Sequence, residues 1–100
     1  MRNYKIAVQH LASDDIREAR AWYNKQQQGL GKRLHADMIL TLRKIAKNPT
    51  SFAIRYQQIR LANFNIFPYA AHFYIEDTTG VVFIIAFLHT SRHPYTTKDR

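Results

Sequence analysis

The sequence predicts an α+β domain with the element order β-α-α-β-β-β, and three observations carry that reading. The chain opens on a short segment of alternating apolar and polar residues. Two amphipathic helical patterns separated by glycines follow, and the second half is rich in β-branched and aromatic residues bounded by turn formers. One hundred residues suffice for one modest core, so residues 1–100 are read as a single domain.

Taken in order, Tyr4, Ile6 and Val8 alternate with Asn3, Lys5 and Gln9, the period of a half-buried strand. Ser13 offers a helix N-cap, with Asp14 and Asp15 in the first turn, where the helix dipole favours anions. Ala12, Ile16, Ala19 and Tyr23 then lie at helical spacing, and a first helix is expected from about residue 13 to 28. Gly29 and Gly31 bracket Leu30 as a tight connection. Leu34, Met38, Leu42 and Ile45 form the stripe of a second helix, with Arg33, Asp37, Arg43, Lys44 and Lys47 mostly off it. Asn48-Pro49 stops that helix, because proline disfavours the helical conformation in the residue before it.

After a loop over Pro49–Arg55, strands are expected at Gln58–Asn63, Tyr69–Glu76 and Val81–Leu88, the last two joined by an Asp77-Thr78-Thr79-Gly80 turn. Val81–Leu88 is apolar at both parities, which suits a strand covered on both faces and central in its sheet. Tyr69, Phe73, Tyr74 and Phe83 stand at alternating strand spacing and are read as sheet core rather than a platform for stacking bases.

Composition narrows the function classes. The apolar share is 46%, Pro and Gly number six together and cysteine is absent, so the domain is held by packing alone, as suits a reducing cytoplasm. The opening MRNYKIAVQH has no apolar run of signal-peptide length, and Val81–Leu88 is far short of a spanning helix. A soluble cytoplasmic protein without a membrane partner is expected. Net charge is +8, with ten Lys/Arg against four acids in residues 1–50 and five against three in residues 51–100. That balance favours an acidic or polyanionic partner.

The order and spacing of these pieces resemble the RelE/ParE superfamily of toxins from bacterial type II toxin–antitoxin modules, whose systems include plasmid stabilization. The resemblance runs through DDIREARAWYNKQQQGLGKRL, the KNP that closes the second helix, IRLANFNIFPYAAHFYI and the closing IIAFLHTSRHP. Leu34 stands where the family more often has Phe. The resemblance implies an antiparallel sheet packed against a helical hairpin, and a cognate antitoxin that wraps and neutralises the toxin. It further implies one of two targets: DNA gyrase, blocked by ParE-like toxins, or messenger RNA on the ribosome, cut by RelE-like endonucleases. Phe67-Pro68-Tyr69 stands where RelE-like nucleases tend to carry an arginine for the scissile phosphate, and this favours the ParE-like side. A basic, non-toxic binding module with the same fold is the third alternative.

The residues that bear on this choice are few. Metal-free ribonuclease chemistry needs a base, an acid and cations at the phosphate. If the chain is RelE-like, Arg60 and Arg92 would bind phosphate, and His89 or Tyr95 would transfer protons. The competing reading makes His89 a core-edge histidine continuing the parity of Phe83, Ile85 and Phe87, and gives Arg60 to Glu76 or to an antitoxin. His89 and His93 are four apart, but strand, turn and Pro94 surround them and no acidic ligand accompanies them, so neither a metal site nor any cofactor is expected. Trp22 and Tyr23 are adjacent and cannot both point inward. A groove rimmed by Arg20, Arg33 and Arg43 beside Trp22 would suit an acidic antitoxin segment; a solvated helix face is the equal alternative.

Overall fold

A computed structural model describes residues 3–91. The elements run β1 Lys5–Val8, α1 His10–Gln26, α2 Leu30–Lys47, a single 3-10 turn at Pro49–Ser51, β2 Ile54–Tyr56, β3 Ile59–Asn63, β4 Tyr69–Glu76 and β5 Val81–His89. The strands form one five-stranded sheet in the order β1-β5-β4-β3-β2. β3 to β5 form the expected antiparallel meander, which β2 extends by one further antiparallel strand, while β1 adds to β5 in parallel. Among the described residues no helix is long and apolar enough to cross a membrane.

Two boundaries differ from the sequence expectation. α1 begins at His10, so Ser13 is an interior residue whose N–H donates to the Gln9 carbonyl at 3.0 Å. The reason is tertiary: the Gln9 N–H is fixed to the Ile84 carbonyl at 2.9 Å, and the chain turns from β1 straight into the helix. The second difference is β2, within what the sequence offered as a loop. It is only three residues long, and it is closed onto β3 by Gln57 at φ 48 rather than by a glycine or asparagine.

The helical hairpin turns at Gly29, whose φ of 94 lies in the left-handed region that glycine enters without steric cost. Its apolar stripes, Ala12, Ile16 and Ala19 from α1 and Leu34, Met38 and Ile45 from α2, pack on one sheet face against Ala71, Phe73, Val82, Ile84 and Phe87. A smaller cluster of Ile59, Ile85, Ala86 and Leu88 lies on the other face, so β5 carries buried residues on both sides.

That double burial has a local cause. His72 pairs with Ala86 while Phe73 pairs with Ile84, leaving Ile85 as an extra residue on β5. Such a bulge shifts the side-chain alternation by one. Val82 and Ile84 face the helices before it, and Phe87 faces them after it. The parity argument that grouped His89 with Ile85 therefore fails, since only Phe87 shares the side of His89.

Candidate functional site

The sheet end and α1 enclose a cleft of about 550 Å³, and five residues of α1 make one wall. Asp15, Glu18, Ala19, Trp22 and Tyr23 recur at spacings of three and four, which brings them onto one face. The opposite wall is Tyr69, the first residue of β4, with Phe87 and His89 from the end of β5, and Ser91 closes it. Tyr69 and His89 are direct cross-strand partners, and their rings meet edge to face at 5.4 Å.

Aromatic contacts run without a break across the cleft. Trp22 and Tyr23 meet at 5.0 Å, Tyr23 and Tyr69 at 6.3 Å, and Tyr23 also leans edge-on against Phe67 at 5.0 Å. The adjacent pair on α1 divides as the sequence required, with Tyr23 half-buried and Trp22 56% exposed. A helix-to-strand bond joins the walls: Asp15 Oδ2 accepts the Phe87 N–H at 3.1 Å.

His89 is oriented by its own neighbour. Its Nδ1 accepts the Ser91 N–H at 3.2 Å and lies 2.8 Å from the Ser91 hydroxyl. Because the backbone amide donates only, Nδ1 is the acceptor, and the proton of the neutral ring belongs on Nε2. The ionised side chains lining the cleft among the described residues are carboxylates, Asp15 and Glu18. Among the described residues, the charge at the cleft is thus of opposite sign to the net +8 of the chain.

Arg60 is elsewhere. It lies on β3 opposite Phe73, whereas His89 lies opposite Tyr69, four residues further along β4. That offset is about 13 Å along the strand. Its Nη1 donates to the Phe52 carbonyl at 2.6 Å and the Thr50 carbonyl at 3.4 Å, so the guanidinium ties the Pro49–Ser51 turn to the sheet. Arg92 and Tyr95 lie outside the described residues, as does His93.

The residues expected to meet an antitoxin fall on separate surfaces. Trp22 belongs to the cleft, whereas Arg33 and Arg43 are exposed on α2 and do not line it. Arg20 is half-buried, and its Nε is enclosed without a hydrogen-bond partner among the described residues. Sequence reasoning missed Asp15, Glu18 and Tyr69 as cleft residues. Tyr69 read as core by alternation, and Asp15 read as a first-turn charge because the helix start was placed three residues late.

Comparison with known proteins identifies the fold and the family. The structure of the chromosomal ParDE toxin–antitoxin system from P. aeruginosa superposes with a TM-score of 0.75 at 11% identity, covering 86% of this chain and 95% of that one. The RelBE2 toxin–antitoxin complex from Mycobacterium tuberculosis gives 0.65 at 16% identity, covering 89% and 93%. No curated protein matches the chain. The family model for the ParE toxin of the type II toxin–antitoxin system parDE matches residues 6–94. With that match over nearly all of its length and the fold it shares with both complexes, the chain belongs to the ParE toxin family, within the RelE/ParE superfamily.

Proposed function

We propose that this toxin acts in the cytoplasm by binding and inhibiting DNA gyrase, and that a cognate antitoxin neutralises it. The observation that carries the choice of target is the charge of the cleft. A ribonuclease must gather cations where phosphate charge builds up. Here the described ionised groups around His89 are Asp15 and Glu18, which repel phosphate, and Arg60 is engaged with backbone carbonyls about 13 Å along the sheet. Phe67-Pro68-Tyr69 brings aromatic surface rather than a cation to the same end. An aromatic, acid-rimmed cleft suits a protein surface better than a nucleic acid backbone. Trp22, Tyr69 and His89 are the residues through which it would hold the target. The antitoxin partner is supported by the two structural neighbours, both from toxin–antitoxin systems.

The second reading is a RelE-like, ribosome-dependent mRNA endonuclease, in which His89 would transfer the proton with Tyr95, and Arg60 and Arg92 would bind phosphate. It is favoured by a histidine held in one tautomer at the rim of a cleft. Purified toxin added to a gyrase supercoiling reaction separates the two. Inhibition that Trp22→Ala weakens at least tenfold is expected, with ribosome-bound transcripts intact in cells expressing the toxin alone. Uninhibited gyrase together with cut transcripts that Arg92→Ala abolishes would sink the gyrase reading.

A further inference from the structure

The surface of α2 carries an apolar patch that the cleft does not use. Arg33, Ala36, Leu40, Arg43 and Lys47 succeed one another at spacings of three and four, so they share one stripe, and all five are exposed. Leu40 is 47% exposed at its middle. The β3–β4 loop lies against this stripe. The Asp37 carboxylate accepts the N–H groups of Asn65, Ile66 and Phe67, and Lys44 Nζ donates to Asn65 Oδ1 at 2.7 Å. Those two anchors bracket Leu40, three residues before it and four after.

Ile66 is 67% exposed, the highest value among the large apolar side chains described. It is not a loose loop tip. Its own N–H is bonded to a carboxylate that is itself 1% exposed, so the backbone presenting Ile66 is fixed from inside the protein. An apolar side chain held in water by buried polar bonds loses little freedom on binding, which favours a partner. Lone exposed apolar residues need no explanation, but Leu40 lies on α2 between the two residues that hold the loop carrying Ile66, on a helix surface that also exposes Arg33, Arg43, Lys44 and Lys47.

We propose that this patch is the docking surface for an acidic amphipathic segment of the antitoxin, with two apolar anchors for Leu40 and Ile66 and carboxylates for those basic residues. The inference rests on the toxin–antitoxin reading above and sharpens it. Charge complementarity decides the occupant: an acidic segment is attracted here and repelled by the Asp15–Glu18 cleft. Neutraliser and target thus take different faces, and Trp22 is a target contact rather than an antitoxin contact.

The test titrates purified toxin with the antitoxin encoded in the adjoining reading frame and scores growth arrest by the toxin alone. Leu40→Glu and Ile66→Glu are each expected to weaken the complex by about 30-fold or more, as central anchors do. Arg43→Glu should weaken it by about tenfold, with a reduced salt dependence. Both apolar variants should keep the wild-type melting temperature and full growth arrest, while Trp22→Ala should change antitoxin affinity less than about threefold. Unchanged affinity in Leu40→Glu and Ile66→Glu would overturn the proposal. So would loss of growth arrest with antitoxin affinity intact, which would assign the patch to the target. Failure of wild-type toxin to bind the antitoxin at all would instead bring down the toxin–antitoxin reading.

Discussion

Asp37 accepts the backbone N–H of Phe67 at 2.9 Å, thirty residues away in sequence, through an oxygen that also accepts the Ile66 N–H at 2.9 Å. A carboxylate with 1% exposure is tolerable only because backbone donors surround it. This pair of bonds, with a third from Asn65 at 3.1 Å, fastens the loop that leads into the cleft.

Removing that acceptor should therefore be felt globally. Asp37→Ala leaves buried amides without partners and is expected to destabilise the fold by about 2–4 kcal/mol, a large part of the 5–15 kcal/mol typical of small domains. Asp37→Asn retains one acceptor oxygen but turns an amide N–H₂ toward the donors, and should fall between wild type and alanine. Urea unfolding midpoints at a constant m-value would measure both. A loss under about 0.5 kcal/mol in Asp37→Ala would contradict this account.

Gly31 offers a test in which two effects oppose each other. It sits in the first turn of α2, and its N–H donates to Asn24 Oδ1 at 2.8 Å, standing in for the N-cap side chain that this helix lacks. Helix propensity alone predicts that Gly31→Ala stabilises by up to about 1 kcal/mol. A Cβ there would meet the Arg20 carbonyl oxygen at 2.7 Å, and backbone cannot swing aside. Overpacking should win, giving a net loss of about 1–2 kcal/mol and separating α1 from α2. A thermal melt above that of wild type would show that the hairpin yields more easily than argued.

Arg60 should behave as a structural residue. Arg60→Ala removes charge-assisted bonds to the Phe52 and Thr50 carbonyls and should cost about 1–3 kcal/mol of stability. Growth arrest, normalised to folded toxin, should remain within about twofold of wild type. The discriminating result is the reverse: a stable Arg60→Ala protein that no longer arrests growth would return Arg60 to the functional machinery.

The legible parts of this protein were those with local causes. Helical spacing exposed both core stripes, Asn48-Pro49 marked the end of α2, and Asp77–Gly80 marked the turn between β4 and β5, where the structure has them. What escaped depended on distant chain. Ser13 reads as a cap until β5 is known to hold Gln9, and β2 has neither the length nor the turn residues of a hairpin arm. Asp37 reads as a surface charge beside the apolar stripe, because its partners lie 28 to 30 residues later. The cleft was half visible. His89 and Trp22 stood out by residue type, whereas Asp15 and Tyr69 join them only once β5 is placed between β1 and β4.

The extra residue at Ile85 gives β5 the character of a switched track. Everything downstream is delivered to the helix side or the far side according to whether that one residue is bulged out of the ladder or paired within it. Taking Ile85 into regular pairing would send Phe87 and His89 to the face opposite α1 and empty one wall of the cleft, whereas deleting it would remove the bulge and leave both opposite Ala71 and Tyr69 on the helix side. The address of His89 is therefore set by how the ladder accommodates a residue that does not itself line the cleft.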